Sequence, residues 1–436
     1  MKILFFPSDR GGGFGHISRC LVLAQEAKDR GHACSIALSE TKYEKQVGAS
    51  FPVFMVKQAA SGFEQFLNAL SRIVPKKHGP TPLYVGVSGL DFQVVRDGLV
   101  TQQAIEYALK GYERVVKSFK PDVLVGDTNL LVRMLSCKVG LPVVQIVRYA
   151  SHPKTARMVW WKNELDGMIP PNSSALFNPV LSELGLRLIN RAEDLLEGDL
   201  FIVPSIPEIE PIPQDDMTAH VGQLSVSGVN EQVPAWLQNF DGHQPLIYIT
   251  IGGGAGPVGN RLFFKTCIDA FANKPIHVVI STSVKFNDRN FPHLPNNIRM
   301  FQWVPGRFLI SKADVIIFHG GYGTMMESIA YGKPSIIIPF QTEQEGNGRR
   351  LEQLGCGRVI KLSREDYKQI KAKWRYGTYS FLTQNRYDLS ADELIGEVNQ
   401  VLYSKEYLNK AQRLQSKTRE YHGVEKALDL IEARWA

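Results

Sequence analysis

The chain has 436 residues, too many for one ordinary core, and 44% of them are hydrophobic against 21% charged, so a two-domain globular protein is expected and a disordered chain is excluded. The net charge of +7 suits an anionic substrate or a transient membrane surface, but it is too diffuse to argue for nucleic acid. The five cysteines (Cys20, Cys34, Cys137, Cys267, Cys356) are odd in number and lack C-x-x-C spacing, which fits small core residues in a reducing compartment and neither a disulfide frame nor a zinc site.

The opening MKILFFPSDRGGG carries too short an apolar run for a signal peptide, and no later run reaches the ~18 residues of a membrane span. A cytoplasmic protein without a membrane helix is expected. Lys2–Pro7 is a strand, residues 9–15 a glycine-rich turn, and His16–Arg30 a helix with Leu21, Leu23, Ala24 and Ala27 on its apolar positions. Gly31 closes it, and Ala33–Leu38 is the second strand. This βαβ unit invites a dinucleotide-binding reading. GGGFGH fits G-x-G-x-x-G only loosely, however, and Glu40 comes too soon after the second strand. His16 follows the turn at the C-terminal edge of a parallel sheet, where open α/β folds bind ligands. A histidine there can take a proton near neutral pH. The plainer alternative is a structural residue at a helix start.

Residues 58–79 hold FEQFLNALSRIV followed by Pro75, Lys76, Lys77 and His78. They read as a helix packed on the sheet, or as an amphipathic helix touching acceptor or lipid. Gln103–Phe119 is a helix. Residues 121–129 (PDVLVGDTN) form a strand with Asp127 at its C-terminal edge, and Leu130–Val139 a helix that Asp127 would be placed to cap. Leu141–Val147 and Leu200–Pro204 are further strands. Between them Met158, Val159, Trp160 and Trp161 cluster without clean periodicity, as core beneath a loop or as an apolar binding wall. Residues 204–244 are rich in Pro, Asp, Gln and Gly and read as the passage between domains.

Leu246–Ile251 opens the second domain as a strand, followed by a glycine turn over residues 252–256. Ile276–Ile280 and Ile298–Phe301 are strands, the latter running into QWVP (302–305). The most informative stretch is 314–347, DVIIFHGGYGTMMESIAYGKPSIIIPFQTEQEGN. Asp314–Phe318 is a buried strand, His319–Gly323 a glycine turn, Thr324–Tyr331 a helix stopped by Gly332 and Pro334. Pro334–Pro339 returns as a strand, and a polar loop with Glu343, Gln344 and Asn347 follows. A glycine turn feeding a helix start presents amide hydrogens and a positive dipole end, an anion site suited to phosphate. A diphosphate lying over Gly321–Thr324 would leave Glu327 near a ribose hydroxyl pair, and Glu343 and Gln344 near a polar ring.

The set His319, Gly320, Gly323, Thr324, Glu327, Gly332, Pro334, Pro339, Glu343-Gln344 and Asn347 resembles the donor-binding signature of the UDP-glycosyltransferase-like, GT-B-fold family. Glu343 departs from it, since the family usually has Asp. The resemblance implies an α/β fold of two Rossmann-like doubly wound domains facing a cleft. It also implies a metal-independent, inverting hexosyltransferase that uses a nucleotide-diphosphate sugar such as a UDP-sugar as co-substrate, with no cofactor. It makes His16 the base toward the acceptor hydroxyl, pairs it with Asp127, sets Gly15 and Gly253 at the cleft, and gives Val304 a backbone contact to the nucleobase. The family often has Gln where Gly306 stands. Loops of the first domain shape the acceptor site, which brings in Trp160 and Trp161. Retaining relatives carry a spaced glutamate pair that Glu327, Glu343, Glu345 and Glu352 do not reproduce.

The boundaries expected are 1–220 for an acceptor-binding domain, 221–244 for a linker, 245–405 for a donor-binding domain, and 406–436 for C-terminal helices, the last returning to the first domain. Residues 362–390 fit the resemblance poorly and read as a surface insertion. The partners expected are the donor and a hydroxyl-bearing acceptor, a small molecule, natural product or lipid. A sugar-nucleotide epimerase and a non-catalytic sugar-nucleotide-binding partner subunit are the alternatives on the same fold. The sequence sets no oligomeric state.

Overall fold

Strand β1 (Lys2–Pro7) is buried over all but its first residue, and β5 (Val123–Asp127) over its whole length. Strands covered on both faces read as unbroken apolar runs, which is the condition of a parallel sheet between helices. The computed structural model describes residues 1–11, 13–56, 82–155, 167–213, 215–225, 243–252, 260–282, 291 and 293–436. With β2 (Ala33–Leu38), β3 (Val53–Met55), β6 (Val143–Ile146), β7 (Leu200–Val203) and β8 (Thr218–His220), these strands make a seven-stranded parallel sheet in the order β3-β2-β1-β5-β6-β7-β8. Residues 218–220, inside the first domain as bounded at 220 though within the 204–244 stretch whose composition reads as a passage, are the edge strand of this sheet. The polar composition of 204–217 hid a short strand that needs only three residues to pair.

A second parallel sheet holds β9 (Leu246–Thr250), β10 (His277–Ser281), β11 (Ile298–Phe301), β12 (Val315–Phe318), β13 (Ser335–Ile337) and β14 (Gly357–Val359), in the order β11-β10-β9-β12-β13-β14. Each sheet buries an apolar layer on both faces. In each, the chain winds outward in opposite directions from a central pair, β1 with β5 and β9 with β12. The loops at the C-terminal ends of such a pair diverge and leave a crevice.

Residues 362–390 are not a free surface insertion. β15 (Lys368–Trp374) and β16 (Gly377–Gln384) form an antiparallel hairpin, and β16 pairs with β4 (Tyr84–Gly86) from the first half of the chain. The Val85 amide also donates to the Phe340 carbonyl at 3.0 Å, and the Val87 amide to Thr342 Oγ1 at 2.6 Å. Phe92, Val95, Ala372, Tyr379 and Phe381 pack beneath the hairpin. The alternation Ile370, Ala372, Trp374 is the period-2 pattern of a half-buried strand. Its partner lies too far along the chain for local reading.

The C-terminal helical stretch is interrupted, as helices Lys405–Thr418 and Gly423–Trp435. Ala427, Leu428 and Ile431 of the last helix join the core beside β1 and β2. Arg30 donates to Asp429 at 2.6 Å and to Glu432 at 2.9 Å, fixing the last helix on the first.

Candidate functional site

The crevice between β1 and β5 holds the first half of the site. The helix Gly15–Asp29 starts with Phe14 as N-cap and no side-chain cap, one residue earlier than its sequence suggests. Among the described residues a Cβ at Gly15 would meet only Arg19 Nη1, at 3.9 Å, beyond its own chain neighbours. His16 is the second helical residue, and its side chain is 34% exposed. Its Nδ1 lies 2.7 Å from Asp127 Oδ1. Asp127 ends β5 and is fully buried. Arg19, one turn along the helix from His16, donates to it through Nε and Nη2, both at 2.8 Å.

Capping by Asp127 does not occur. The next helix begins at Val132 without a side-chain cap, and both carboxylate oxygens are occupied by His16 and Arg19. Thr128, at a left-handed φ of 53°, turns the chain away directly after the carboxylate. Burial alone would raise the Asp127 carboxyl, but the Arg19 guanidinium and the His16 ring outweigh it and hold it at about 2. Asp127 is thus an anion at neutral pH.

The crevice between β9 and β12 holds the second half. His319 follows β12, and its ring lies against two glycines. A Cβ at Gly252 would stand 2.4 Å from its Cε1, and one at Gly321 2.4 Å from its Nε2. Gly320, at φ +89°, passes close to the Gln344 carbonyl, 2.4 Å from where a Cβ would be. Side chains at these positions would evict the ring or shift the backbone. Burial pushes the His319 imidazole down to about 4, with Glu343 opposing, so the ring is neutral at pH 7. Among the described residues its buried Nδ1 has no hydrogen-bond partner. A buried orphan of this kind calls for a ligand group or a water.

Helix Tyr322–Ala330 starts two residues earlier than its sequence suggests, with Gly321 as N-cap and no side-chain cap. Gly323 and Thr324 thus lie in its first turn, where amide hydrogens have no intrahelical acceptor. Its own helix aside, a Cβ at Gly323 would meet no described residue within 4 Å. Glu327, one turn further, accepts from Arg307 Nε at 3.0 Å. Val304 is buried beside Trp303, which is 73% exposed. Gly253, Trp160, Trp161 and the stretch 58–79 lie outside the described residues.

Glu343, Gln344 and Asn347 do not sit in a polar loop. They belong to helix Thr342–Gln353. Glu343 and Glu345 complement the positive end of that helix. Asn347 donates from Nδ2 to the Gly320 carbonyl at 2.7 Å and to Glu343 Oε1 at 2.9 Å. Gln344 Oε1 accepts from the Phe340 amide at 2.9 Å. The Glu343 carboxylate also meets Arg148 Nη1 at 2.7 Å, a residue of the other sheet.

Arg148, Arg19 and Tyr322 are site residues that sequence reading missed. Arg148 follows β6, donates to Glu210 at 3.0 Å and to Asn347 Oδ1 at 2.5 Å, and stacks 3.6 Å from the Tyr322 ring centre. Tyr322 donates its hydroxyl to the Pro204 carbonyl at 2.8 Å, and the Arg19 guanidinium lies 5.8 Å from its ring centre. The two halves therefore meet through cations of the first sheet and the helix start of the second. Arg19 had a local signal, its i, i+3 spacing from His16. Arg148 had one too, its place just past the C-terminal end of a parallel strand. Among the described residues no cluster of three or more His, Cys, Asp or Glu could hold a metal ion, and no helix is long and apolar enough to cross a membrane.

Residues 267–394 match the family described as Erythromycin biosynthesis protein CIII-like, C-terminal domain. The chain is 24% identical over 336 residues to the NDP-glycosyltransferase YjiC of Bacillus licheniformis, covering 76% of each protein. It is 24% identical over 433 residues to the oleandomycin glycosyltransferase of Streptomyces antibioticus, covering 96% of this chain and 88% of that one. Among solved structures, the calicheamicin glycosyltransferase CalG4 superposes with a TM-score of 0.70 at 21% identity, over 99% of this chain and 97% of that one. The spinosyn rhamnosyltransferase SpnG, complexed with spinosyn aglycone, gives 0.68 at 18% identity over 99% and 100%.

Proposed function

We propose that this chain, which belongs to the UDP-glycosyltransferase-like family of GT-B-fold glycosyltransferases, transfers a sugar from a nucleotide-diphosphate donor to an acceptor hydroxyl with inversion at the anomeric carbon. The observation that carries this reading is the pairing of two unlike histidines across one cleft. His16 is accessible and bonded to a buried carboxylate. His319 is buried and neutral at a helix start, its Nδ1 unpaired among the described residues.

In the proposed reaction Asp127 holds the Nδ1 hydrogen of His16, which leaves Nε2 to take the acceptor proton. The acceptor oxygen bonds to the anomeric carbon while the bond to the diphosphate breaks, and its electron pair leaves on the diphosphate oxygen. The first-turn amides of Tyr322–Ala330 and the ring hydrogen of His319 stabilise that developing charge. Because His319 is neutral, it acts as a hydrogen-bond donor and not as a cation. The sequence names no Asp-x-Asp pair near the donor loop, so the reading is metal-independent. The named relatives include macrolide and other natural-product glycosyltransferases, and a small natural product or a lipid is the acceptor class proposed here. The free cysteines suit a reducing, cytoplasmic setting.

The test is a thermal-shift screen of nucleotide sugars, followed by transfer assays on hydroxyl acceptors in excess chelator with the anomer read by NMR. The reading expects donor stabilisation and an inverted product. A retained anomer, or transfer abolished by chelator and restored by manganese, overturns it.

A further inference from the structure

Arg19 does something a histidine–carboxylate pair does not require. Besides its two bonds to Asp127, its Nη2 lies 2.9 Å from His16 Nδ1. That nitrogen therefore has two neighbours of opposite kind. A carboxylate only accepts, so the bond to Asp127 needs hydrogen on Nδ1. A guanidinium only donates, so a bond from Arg19 needs Nδ1 bare. A neutral ring satisfies one or the other. In the first arrangement Nε2 is bare and basic. In the second Nε2 carries the hydrogen, and the ring cannot take a proton at that edge.

We propose that Arg19 is a positioning residue that sets the basicity of His16, by competing with it for Asp127 and by holding a positive charge against its ring. The inference rests on the reading of His16 as base. The surroundings leave Arg19 in control. Asp127 is the one carboxylate bonded to either residue among the described ones. On Asp127 itself, Thr128 Oγ1 adds a neutral bond at 3.3 Å, and Cys20 is a buried thiol next on the helix. From across the cleft come Tyr322, whose ring faces Arg19, and Arg148 behind it. Arg148 has its own carboxylates in Glu210 and Glu343. When His16 takes a proton, it and Arg19 share a single negative charge. An imidazolium so placed is less stabilised than one beside a carboxylate of its own.

Protein labelled with ¹⁵N-histidine tests this without any substrate, because ring nitrogen shifts separate the two tautomers and the charged form. His16→Gln assigns the signal. In the wild type the inference expects hydrogen on Nδ1 of the neutral ring. In Arg19→Leu the charged ring, left alone with Asp127, should persist to higher pH than in the wild type. Arg19→Lys keeps the charge but loses the fork, and should fall between. It also serves should the leucine variant not fold. A midpoint in the folded variants unchanged from wild type overturns the inference, as does hydrogen found on Nε2 of the neutral wild-type ring. Turnover of His16→Ala separates this from the base reading. A midpoint that moves while His16→Ala remains active leaves the Arg19 inference standing and removes the base. An inactive His16→Ala with a fixed midpoint does the reverse.

Discussion

His16 and His319 both stand at the central pair of strands of their sheets, but on different members of it: His16 follows β1, the first of its pair, and His319 follows β12, the second. Each stands by a glycine turn that feeds a helix. Their environments differ. His16 is a third exposed and bonded to an anion held by Arg19. His319 is enclosed by Gly252 and Gly321, and among the described residues its Nδ1 has no hydrogen-bond partner. Topology thus chooses where a histidine stands, and the neighbours choose what it can do. One is equipped to accept a proton, the other to stay neutral and donate a hydrogen bond to an anion.

The sharpest way to break this contrast is His16→Ala. Removing a general base typically lowers the rate by about 10²–10⁴-fold. Donor affinity should stay nearly intact, because the donor residues belong to the other sheet. Asp127→Asn should fall in the same direction, and the double variant should lose less than the product of the two, since the pair acts as a unit. Donor calorimetry, melting temperature and turnover on one preparation decide it. Near-normal turnover per folded molecule would return His16 to a structural role.

Acidification should separate the histidines through stability. The folded chain holds His319 neutral down to about pH 4, while an unfolded chain protonates it near 6.5. The unfolded state therefore binds more protons in that window, so stability falls as pH drops from about 6.5 toward 4, by up to about 3 kcal/mol for this residue. Buried His152, also pushed down to about 4, adds in the same direction. Asp127, held at about 2, contributes only below the ordinary carboxylate range near 3.8. Denaturant midpoints measured against pH should slope less in His319→Gln than in the wild type. Parallel curves would mean that His319 is solvated and not enclosed.

His319→Ala and Glu327→Ala address donor binding. Each should weaken nucleotide-sugar binding by about 1.5–3 kcal/mol, the usual loss for a hydrogen bond to a charged group. For Glu327 the variant also frees the Arg307 contact seen at 3.0 Å, so its melting temperature should be followed alongside. Unchanged affinity in both variants by calorimetry would remove the second half of the site from the reading.

The sheets and both glycine turns were legible because buried parallel strands are apolar runs and glycine marks close approach. The paired carboxylate of His16 was legible only through resemblance, since local reading equally allowed a helix cap. Helix Thr342–Gln353 was not legible. TEQEGNGRRLEQ holds two glycines and few apolar residues, so it has the composition of a loop. Tertiary bonds hold it instead. Asn347 bonds the Gly320 carbonyl, and buried Glu345 is met from outside the helix by Lys361 at 3.2 Å, beside Arg349 of its own helix at 3.3 Å. The hairpin's pairing with β4 and the reach of Arg148 to Glu343 join residues far apart in the chain. No window on one segment contains the other.

The smallest effect expected is at Gly323, where structure and function should pull in opposite directions. Gly323 lies in the first turn of Tyr322–Ala330, does not have a left-handed φ, and, its own helix aside, no described residue comes within 4 Å of a new Cβ. It differs in this from Gly321, where a Cβ would strike the His319 ring. Gly323→Ala should therefore raise stability by about 0.5–1 kcal/mol, through better helix propensity and a less free unfolded chain. If the empty space over that turn is where the donor diphosphate lies, the added methyl stands between phosphate and amides and weakens donor binding while the fold gains. A variant more stable and equally tight would show that the turn is only a turn. The phosphate site would then have to lie elsewhere along the cleft. A variant more stable and weaker in binding would identify Gly323 as kept for the ligand at the expense of the helix.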